Sequence, residues 1–269
     1  MDISIVILTW NSEKYIRQCI DSIVESFKNG NINYEIFVVD NGSQDNTVNI
    51  INMLSDKYPN NLTPILLERN YGTTISRNFA LKKSKGKYIC VIDSDVVVSG
   101  NVFNELMLAL DSDATIGLTV PKIYYPNGKW QKSYDTFPTL LHKMKRFLFL
   151  RQIEGKESRL NSDESSLGKD IDYAISAFWM FKREIISKVG LLDEKIFYSP
   201  EDVDYCLRIW KSGYRIAYVP KVNIVHHTQE ISRGWKISRA KLSHIKGLFY
   251  LFRKHRYLIF KPSFCKMYV

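Results

Sequence analysis

Two aspartates interrupt an apolar run in the segment YICVIDSDVVV, which spans residues 88–98. Asp93 and Asp95 are two positions apart, and side chains with that spacing on a strand point to the same face of the sheet. A buried charge without a partner is costly. Either the pair has a binding role, or the strand ends by Asp93 and both acids lie in a solvated turn. The three valines that follow at once favour the binding role.

A third aspartate ends another apolar run, YEIFVVD, at residues 34–40. The following Asn41, Gly42 and Asp45 suit a turn and a helix cap, for which Asp40 is not required. Carboxylates at strand ends can hold a divalent cation that in turn binds a diphosphate, or they can accept hydrogen bonds from a base or a ribose. The sequence therefore offers carboxylates for a nucleotide site.

Three further acids, Glu201, Asp202 and Asp204, lie in the segment SPEDVDYC, residues 199–206. Composition alone favours a structural explanation for them, because acids in the first turn of a helix interact favourably with the helix dipole. Asp204 is expected to be structural and to pair with Arg208 one turn later. Their residue types and positions alone predict no catalytic role for Glu201 and Asp202.

The elements that position these acids are those of an open α/β sheet. The run ISIVIL is rich in β-branched residues, as is typical of a strand buried on both faces. Apolar runs alternate with helical patterns along the first part of the chain, which predicts βαβ units and a parallel sheet. Ligands of such sheets bind at the carboxyl ends of strands, where Asp40 and Asp93 fall. The predicted strands are 3–8, 34–40, 63–70 and 88–98, and the helical patterns between them are 9–26, 46–58 and 73–84.

The second part of the chain continues with mixed elements around an irregular stretch. Residues 126–170 are polar and are expected to form a mobile loop region. A helix is expected at 199–213, with Ser199 as its cap and Pro200 in its first position. The other expected elements are a helix at 102–112, a strand at 116–126, a strand followed by a helix at 171–190, and a final strand at 214–227.

Four of these segments, in this order, resemble the successive motifs of family 2 glycosyltransferases, which are inverting, metal-dependent enzymes of the GT-A fold. The resemblance covers most of residues 3–232 and is closest to the rhamnosyltransferase-like branch, through EDVDYCLR, GYRI, VP and HH. It implies a GT-A domain at 1–232, with a nucleotide-sugar-binding half at 1–98 and an acceptor and catalytic half at 99–232. The segments are ISIVILTWNSEKYIRQCIDSI, YEIFVVDNGSQDNT, NYGTTISRNFALKKSKGKYICVIDSDVVV and FYSPEDVDYCLRIWKSGYRIAYVPKVNIVHH.

The resemblance assigns the donor site residue by residue. Asp95 would bind Mn²⁺ or Mg²⁺, and Asp93 would contact the ribose or the metal. One histidine of the segment VHHT matches a family metal ligand; we assign His226, because alternation along the strand places His227 on the opposite face. The remaining nucleotide-sugar contacts implied are Asp40 to the N3–H of uracil or thymine, Thr9 and Arg77 in the same base pocket, and Ser94.

The resemblance also assigns the transfer step. Asp202 would be the base that takes the proton of an acceptor hydroxyl, with inversion at the sugar carbon, and Glu201 would position the acceptor or the base. Trp179 would stack on an acceptor sugar, although core packing is an equally good explanation for an aromatic residue there. The donor would be a UDP- or dTDP-sugar, and the acceptor a saccharide, in particular a lipid-linked one.

Other function classes fit the sequence less well than sugar transfer. A nucleotidyltransferase would carry a glycine-rich, basic loop after the first strand, and LTWNSEKYIRQC has no glycine. No GxGxxG or P-loop motif is present, which disfavours dinucleotide and P-loop enzymes. A non-catalytic nucleotide-sugar or saccharide-binding relative is disfavoured because the candidate acids and His226 are all retained.

Charge separates the last residues from the rest of the chain. Residues 231–269 hold ten Lys and Arg and no acid, which accounts for the whole net charge of +10. Basic residues interleaved with aromatic ones predict that residues 233–269 contact an anionic membrane surface; a helix packed on the domain is the alternative, and nucleic acid is disfavoured. Four separated cysteines and the lack of a signal peptide or long apolar run predict a cytoplasmic protein with reduced thiols, peripheral at the inner face of the cell membrane.

Overall fold

The structure is a computed structural model that describes residues 1–28, 30–141, 169–228 and 239–262. Its strands are β1 Ile3–Thr9, β2 Tyr34–Asp40, β3 Leu62–Leu66, β4 Tyr88–Asp93, β5 Val96–Val98, β6 Ile116–Tyr124, β7 Trp130–Gln131, β8 Tyr134–Asp135, β9 Lys169–Asp170, β10 Tyr173–Ala174, β11 Phe178–Lys182 and β12 Arg215–His226. Its helices are α1 Ile16–Phe27, α2 Thr47–Lys57, α3 Thr73–Leu81, α4 Val102–Ser112, α5 Glu184–Val189, α6 Glu201–Lys211 and α7 Arg239–His255.

Ten of the described strands form one mixed, mostly parallel sheet. The order along it is β3-β2-β1-β4-β11-β6-β12-β5, with β7 paired to β6 and β9 paired to β12, while β8 and β10 form a separate two-stranded sheet. Strands β3, β2, β1 and β4 are parallel, whereas β11 runs antiparallel between β4 and β6. The register sets Thr9 beside Asp40 and Leu8 beside Asp93, so these strand ends meet at one edge.

Apolar side chains cover both faces of the sheet. Along β1, Ile5 and Ile7 pack into one core with α1, α2 and α4, whereas Val6 packs into a second core with α3, α5 and α6. This double burial explains why the run ISIVIL is almost uniformly β-branched rather than alternating. The open α/β sheet expected from the sequence is therefore present, with helices on both faces.

The segment around the two aspartates differs from one long strand. β4 ends at Asp93, and β5 begins at Val96 and pairs antiparallel with β12. The alternative in which the strand ends at Asp93 is thus right for the backbone. For the solvation it holds in part: the Asp93 side chain is 35% exposed, whereas Asp95 is buried with 8% exposed. A turn, rather than alternation along a strand, brings the two acids together.

Helix α6 begins one residue later than expected and without the predicted cap. It starts at Glu201, and no side chain caps its first turn, so the prediction of Ser199 as the cap is wrong. The Ser199 hydroxyl instead pairs with Nδ1 of His244 at 2.9 Å. The loop before α6 is therefore tied to α7 rather than to its own helix.

Helix α7 packs on the sheet domain. Leu251 is fully buried in the second core, and Gly247 lies so close to the loop before α6 that a Cβ there would be 2.2 Å from the Ser199 carbonyl oxygen. Among the described helices none has the length and apolar character needed to cross a membrane. Most of the expected loop region, residues 142–168, lies outside the described residues.

Candidate active site

A cleft of about 1370 Å³ opens at the carboxyl ends of β1 and β4. Its walls come from these strand ends, from the loop before α6, from the first turn of α6 and from α7. Ligands of open α/β sheets bind at this position. The side chains that line it include Thr9, Asp93, Asp95, Glu201, Asp202 and His226.

Three potential metal ligands meet on one side of the cleft. Asp93, Asp95 and His226 each offer an atom within 4.8 Å of the others, and Nε2 of His226 lies 3.2 Å from Oδ1 of Asp95. The pairing of β12 with β5 sets His226 opposite Val96, beside the turn that holds both acids. The structure thus brings together the three residues that the sequence predicted.

His227 lies on the other side of the strand. Its ring contacts Tyr15, with the centroids 5.3 Å apart, and only its backbone N–H reaches the carbonyl of Asp95. Of the two histidines, His226 is therefore the one whose ring faces the acids, as alternation predicted.

The electrostatics of the three ligands suit a cation. Burial raises the pKa of Asp93, and the Asp95 charge adds to that effect against the opposing charge of Arg77. Burial lowers the pKa of His226, but the hydrogen bond and charge of Asp95 outweigh it and raise that pKa overall. Two crowded carboxylates and one imidazole are a donor set that Mn²⁺ accepts.

Arg77 links the metal side of the cleft to the acids of α6. Its side chain is only 1% exposed, and its guanidinium lies 2.5 Å from Oδ1 of Asp93 and 3.5 Å from Oε1 of Glu201. It also donates to the Ser176 hydroxyl at 2.8 Å, and that hydroxyl donates to Glu201 at 2.9 Å. Ser176 was not predicted as a site residue; a serine inside the apolar run YAISAFWMF was its one signal.

The two acids at the start of α6 have different environments. Burial, reinforced by the charge of Asp202, raises the pKa of Glu201 to about 8. Asp202 is half-buried, lines the cleft and accepts the Val203 N–H at 2.8 Å. Glu201 therefore takes up a proton more readily than an ordinary glutamic acid does, which limits the repulsion between the two groups.

Of the four residues predicted to contact the nucleotide, Thr9, Arg77 and Ser94 line the cleft and Asp40 does not. The Thr9 hydroxyl is buried in the cleft wall and has no hydrogen-bond partner among the described residues. Asp40 accepts N–H groups of Gly42 and Ser43 at 3.1 and 2.9 Å, so it does support the turn, contrary to the sequence interpretation. The Ser94 hydroxyl donates to the Ser12 hydroxyl. The contacts of Asp40, Thr9, Arg77 and Ser94 with a nucleotide stay predictions.

Trp179 does not lie in the cleft. It is fully buried, stacks on Tyr205 with ring centroids 5.7 Å apart, and donates its indole N–H to the carbonyl of Ala174. No sugar can stack on a side chain without exposed surface, so the predicted acceptor contact is wrong. An apolar strand facing α6 gives this aromatic residue a core position instead.

Helix α7 supplies cleft residues that the sequence interpretation missed. Ser243, His244, Lys246 and Tyr250 all line the cleft. The interleaved basic and aromatic residues of this segment predict a membrane-binding extension rather than a wall of the cleft. The sequence holds no local signal for the approach of α7 to the loop before α6.

The sequence model of glycosyl transferase family 2 matches residues 4–190. The chain belongs to glycosyl transferase family 2. The match runs through β1 to β4 and includes both acids of the turn between β4 and β5. The rhamnosyltransferase-like branch is not specified by the match and stays a prediction.

Several proteins are similar in sequence to this family 2 chain. A poly(ribitol-phosphate) beta-glucosyltransferase of Bacillus spizizenii is 41% identical over 98 residues, which are 35% of this chain and 15% of that protein. An uncharacterized glycosyltransferase of Mycoplasma genitalium is 25% identical over 243 residues, which are 88% of this chain and 73% of that protein. An uncharacterized protein of Sinorhizobium fredii is 27% identical over 86% of this chain, which spans 25% of its length.

Solved structures confirm the GT-A fold. TarS of S. aureus superposes with a TM-score of 0.59 at 21% identity, over 85% of this chain and 37% of TarS. The mannosyltransferase PcManGT of Pyrobaculum calidifontis superposes with a TM-score of 0.63 at 19% identity, over 98% of this chain and 66% of that one.

Proposed function

We propose that the chain is an inverting glycosyltransferase that transfers a sugar from a UDP- or dTDP-sugar to a hydroxyl of a saccharide. The observation that carries the proposal is that the metal-ligand cluster of Asp93, Asp95 and His226 opens into the same cleft as Asp202. One neighbour was solved with UDP-GlcNAc and another with GDP-Man and Mn²⁺, which supports a nucleotide-sugar donor. Relatives are named as a poly(ribitol-phosphate) glucosyltransferase and as a minor teichoic acid biosynthesis protein, which supports a saccharide or polyol acceptor.

The donor set fits a divalent cation. Asp95 and His226 would hold Mn²⁺ or Mg²⁺, and Asp93 would contact the same ion or the ribose. When bound, the ion supplies positive charge that neutralises the diphosphate of the donor and stabilises it as a leaving group. The chain's own contribution is Arg77, which keeps Asp93 in place from the buried side.

Asp202, which lines the cleft at the start of α6, would act as the base. An acceptor hydroxyl that approaches the sugar carbon from the side of α6 would pass its proton to Asp202 as the new bond forms. The diphosphate departs from the opposite face, so the configuration inverts. Glu201, whose pKa is raised by burial and by the charge of Asp202, would take the proton more readily and leave Asp202 as the carboxylate of the pair.

Replacing the base tests this assignment. Asp202→Asn keeps the size of the side chain and removes its basicity, so we expect the rate of transfer to fall by about 10²- to 10⁴-fold. Nucleotide-sugar binding should be retained, and is measured as the thermal shift caused by UDP-, dTDP- and GDP-sugars with and without Mn²⁺. The control is Asp56→Asn, an exposed acid of α2. Transfer by Asp202→Asn at the wild-type rate would show that another group is the base.

We also propose that residues 233–269 bring the enzyme to an anionic membrane surface on the cytoplasmic side, where a lipid-linked acceptor would be found. In the described part of this segment, Phe249 is 71% and Phe260 81% exposed. Exposed basic side chains, among them Lys246 and Arg253, lie in the same segment. Exposed aromatic residues next to cations are typical of interfacial helices.

A further inference from the structure

A second pocket, of about 420 Å³, lies beside the cleft. It shares Lys195 and Tyr250 with the cleft wall, so the two cavities are neighbours. Its remaining lining comes from the end of α7. The residues of this basic pocket are Lys195, Tyr250, Arg253, Lys254 and Arg256.

The charges of the basic pocket are unbalanced. The nearby carboxylate of Asp193 accepts Lys254 Nζ at 2.6 Å, the Tyr250 hydroxyl at 2.8 Å and the backbone N–H of Lys195 at 3.0 Å. Asp193 therefore neutralises Lys254. Lys195, Arg253 and Arg256 are exposed, and no carboxylate of the described residues forms an ion pair with their side chains. Three uncompensated cations around one cavity attract an anion.

The backbone at Arg256 is a second, independent indication. Arg256 has a φ of 56°, and the N–H of Tyr257 returns to the carbonyl of Phe252 at 3.3 Å, which closes α7 with a Schellman turn. The left-handed position of that turn is normally glycine. Glycine takes the left-handed φ after α5 and after α6, at Gly190 and Gly213. After α7 the chain instead keeps a strained arginine that lines the basic pocket, and strain of this kind concentrates at binding sites.

We propose that the basic pocket binds a phosphate group of the acceptor. Arginine guanidinium groups bind phosphate oxygens bidentately, and a lysine adds a point charge. The proposal rests on the proposed function, because it takes the neighbouring cleft as the place of transfer. A phosphate ester could come from a phosphodiester within a saccharide or polyol chain, or from the diphosphate that joins a sugar to a lipid carrier.

Calorimetric titration of the full chain with soluble phosphate esters tests the pocket without any transfer. The probes are glycerophosphoglycerol, a phosphodiester, and geranyl diphosphate, a diphosphate ester, in buffer with EDTA and no donor. Arg253→Glu/Arg256→Glu should weaken binding of the preferred probe by about tenfold or more, because it removes two charge-assisted contacts. The control Lys83→Glu/Lys129→Glu makes the same change in net charge at exposed lysines outside both cavities and should bind like wild type.

The variant Arg256→Gly separates a loss of phosphate binding from a loss of folding. Glycine suits the left-handed backbone, so its melting temperature should equal or exceed that of wild type while phosphate binding weakens. Stronger binding of the diester would assign the pocket to a phosphate-containing chain, and stronger binding of the diphosphate would assign it to a lipid carrier. Equal binding by wild type and the Arg253→Glu/Arg256→Glu variant, or no binding of either probe, would overturn the proposal. Because no donor is present, these results are independent of whether the chain transfers a sugar.

Discussion

At the scale of single residues, the candidate site depends on one buried cation. Arg77 contacts Asp93 on the metal side and Glu201 on the side of the base, and its exposed fraction is 1%. A buried ion pair adds little stability over an apolar replacement of both partners, but the removal of one partner leaves the other without compensation. Arg77 is therefore a position at which stability and the geometry of the site change together.

We expect Arg77→Met to lower the free energy of unfolding by about 3 kcal/mol or more, since the Asp93 carboxylate loses its ion pair and Glu201 loses a nearby positive charge. Urea unfolding measures the change. Arg77→Lys should recover part of it, because an ammonium keeps the charge but cannot reach both acids as a planar fork. The control is Arg17→Met at an exposed position of α1, which should change little. An unfolding free energy of Arg77→Met equal to that of wild type would contradict the role of this network.

The sequence predicts some of these residues and not others for physical reasons. Asp93, Asp95 and His226 stand out because polar side chains at the ends of apolar runs need a partner. Arg77 in TTISRNFALKKS has the pattern of a solvated helical cation, and its burial depends on partners that lie 16 and 124 positions away. Trp179 is the converse case, since an aromatic residue next to a site has the same sequence pattern whether it faces the ligand or the core.

At the scale of elements, a polar cluster joins α6, which carries the proposed base, to α7. The predicted pair of Asp204 and Arg208 is confirmed at 2.9 Å. Asp204 also accepts Nε2 of His255 at 2.8 Å and Lys254 Nζ at 2.6 Å, and Lys211 Nζ lies 2.9 Å from Nδ1 of His255. A neutral His255 with its proton on Nε2 satisfies both contacts, because Lys211 can only donate.

This cluster makes stability depend on pH in two windows. Burial, with the hydrogen bond to Asp204 opposing it, lowers the pKa of His255, so unfolded chains bind its proton first and stability falls as the pH drops below about 6.5. Burial raises the pKa of Asp204, but His255, Arg208 and Lys254 outweigh it and lower that pKa to about 2. Asp204 therefore contributes about 2 kcal/mol to the free energy of unfolding above about pH 4. This contribution is lost as the pH falls to about 2.

The variant His255→Gln separates the two windows. The glutamine amide can still donate to Asp204 but does not titrate, so the fall in stability below about pH 6.5 should become shallower while the fall below about pH 4 remains. Urea unfolding at pH values between 7 and 3 measures both. The same slope between pH 7 and 5 in wild type and variant would exclude His255 as the titrating group.

At the scale of the whole molecule, the local sequence pattern predicts the βαβ half but not how the later strands join the sheet. The first four strands follow one another in sequence and pair with register set by buried runs. β11 inserts antiparallel between β4 and β6, and β5 pairs with β12. Both pairings join segments that are far apart in the chain. The packing of α7 against the cleft is a long-range contact of the same kind. Residues 233–269 were therefore predicted as a separate extension.

The packing of α7 also changes how membrane binding must be tested. Deletion of residues 233–269 would remove the cleft wall formed by α7 together with any membrane contact, so substitution of exposed side chains is the sharper test.

We expect the double variant Phe249→Asp/Phe260→Asp to lose most of its sedimentation with phosphatidylglycerol vesicles. In the wild type, the two exposed aromatic side chains would insert at the interface while the basic residues of the same segment are attracted to the anionic lipid. The control Leu108→Asp changes another exposed apolar side chain, on α4, and should sediment like wild type. Binding of wild type should weaken in high salt and on vesicles of phosphatidylcholine alone. Equal sedimentation of the double variant and wild type would show that this surface does not hold the chain on a membrane.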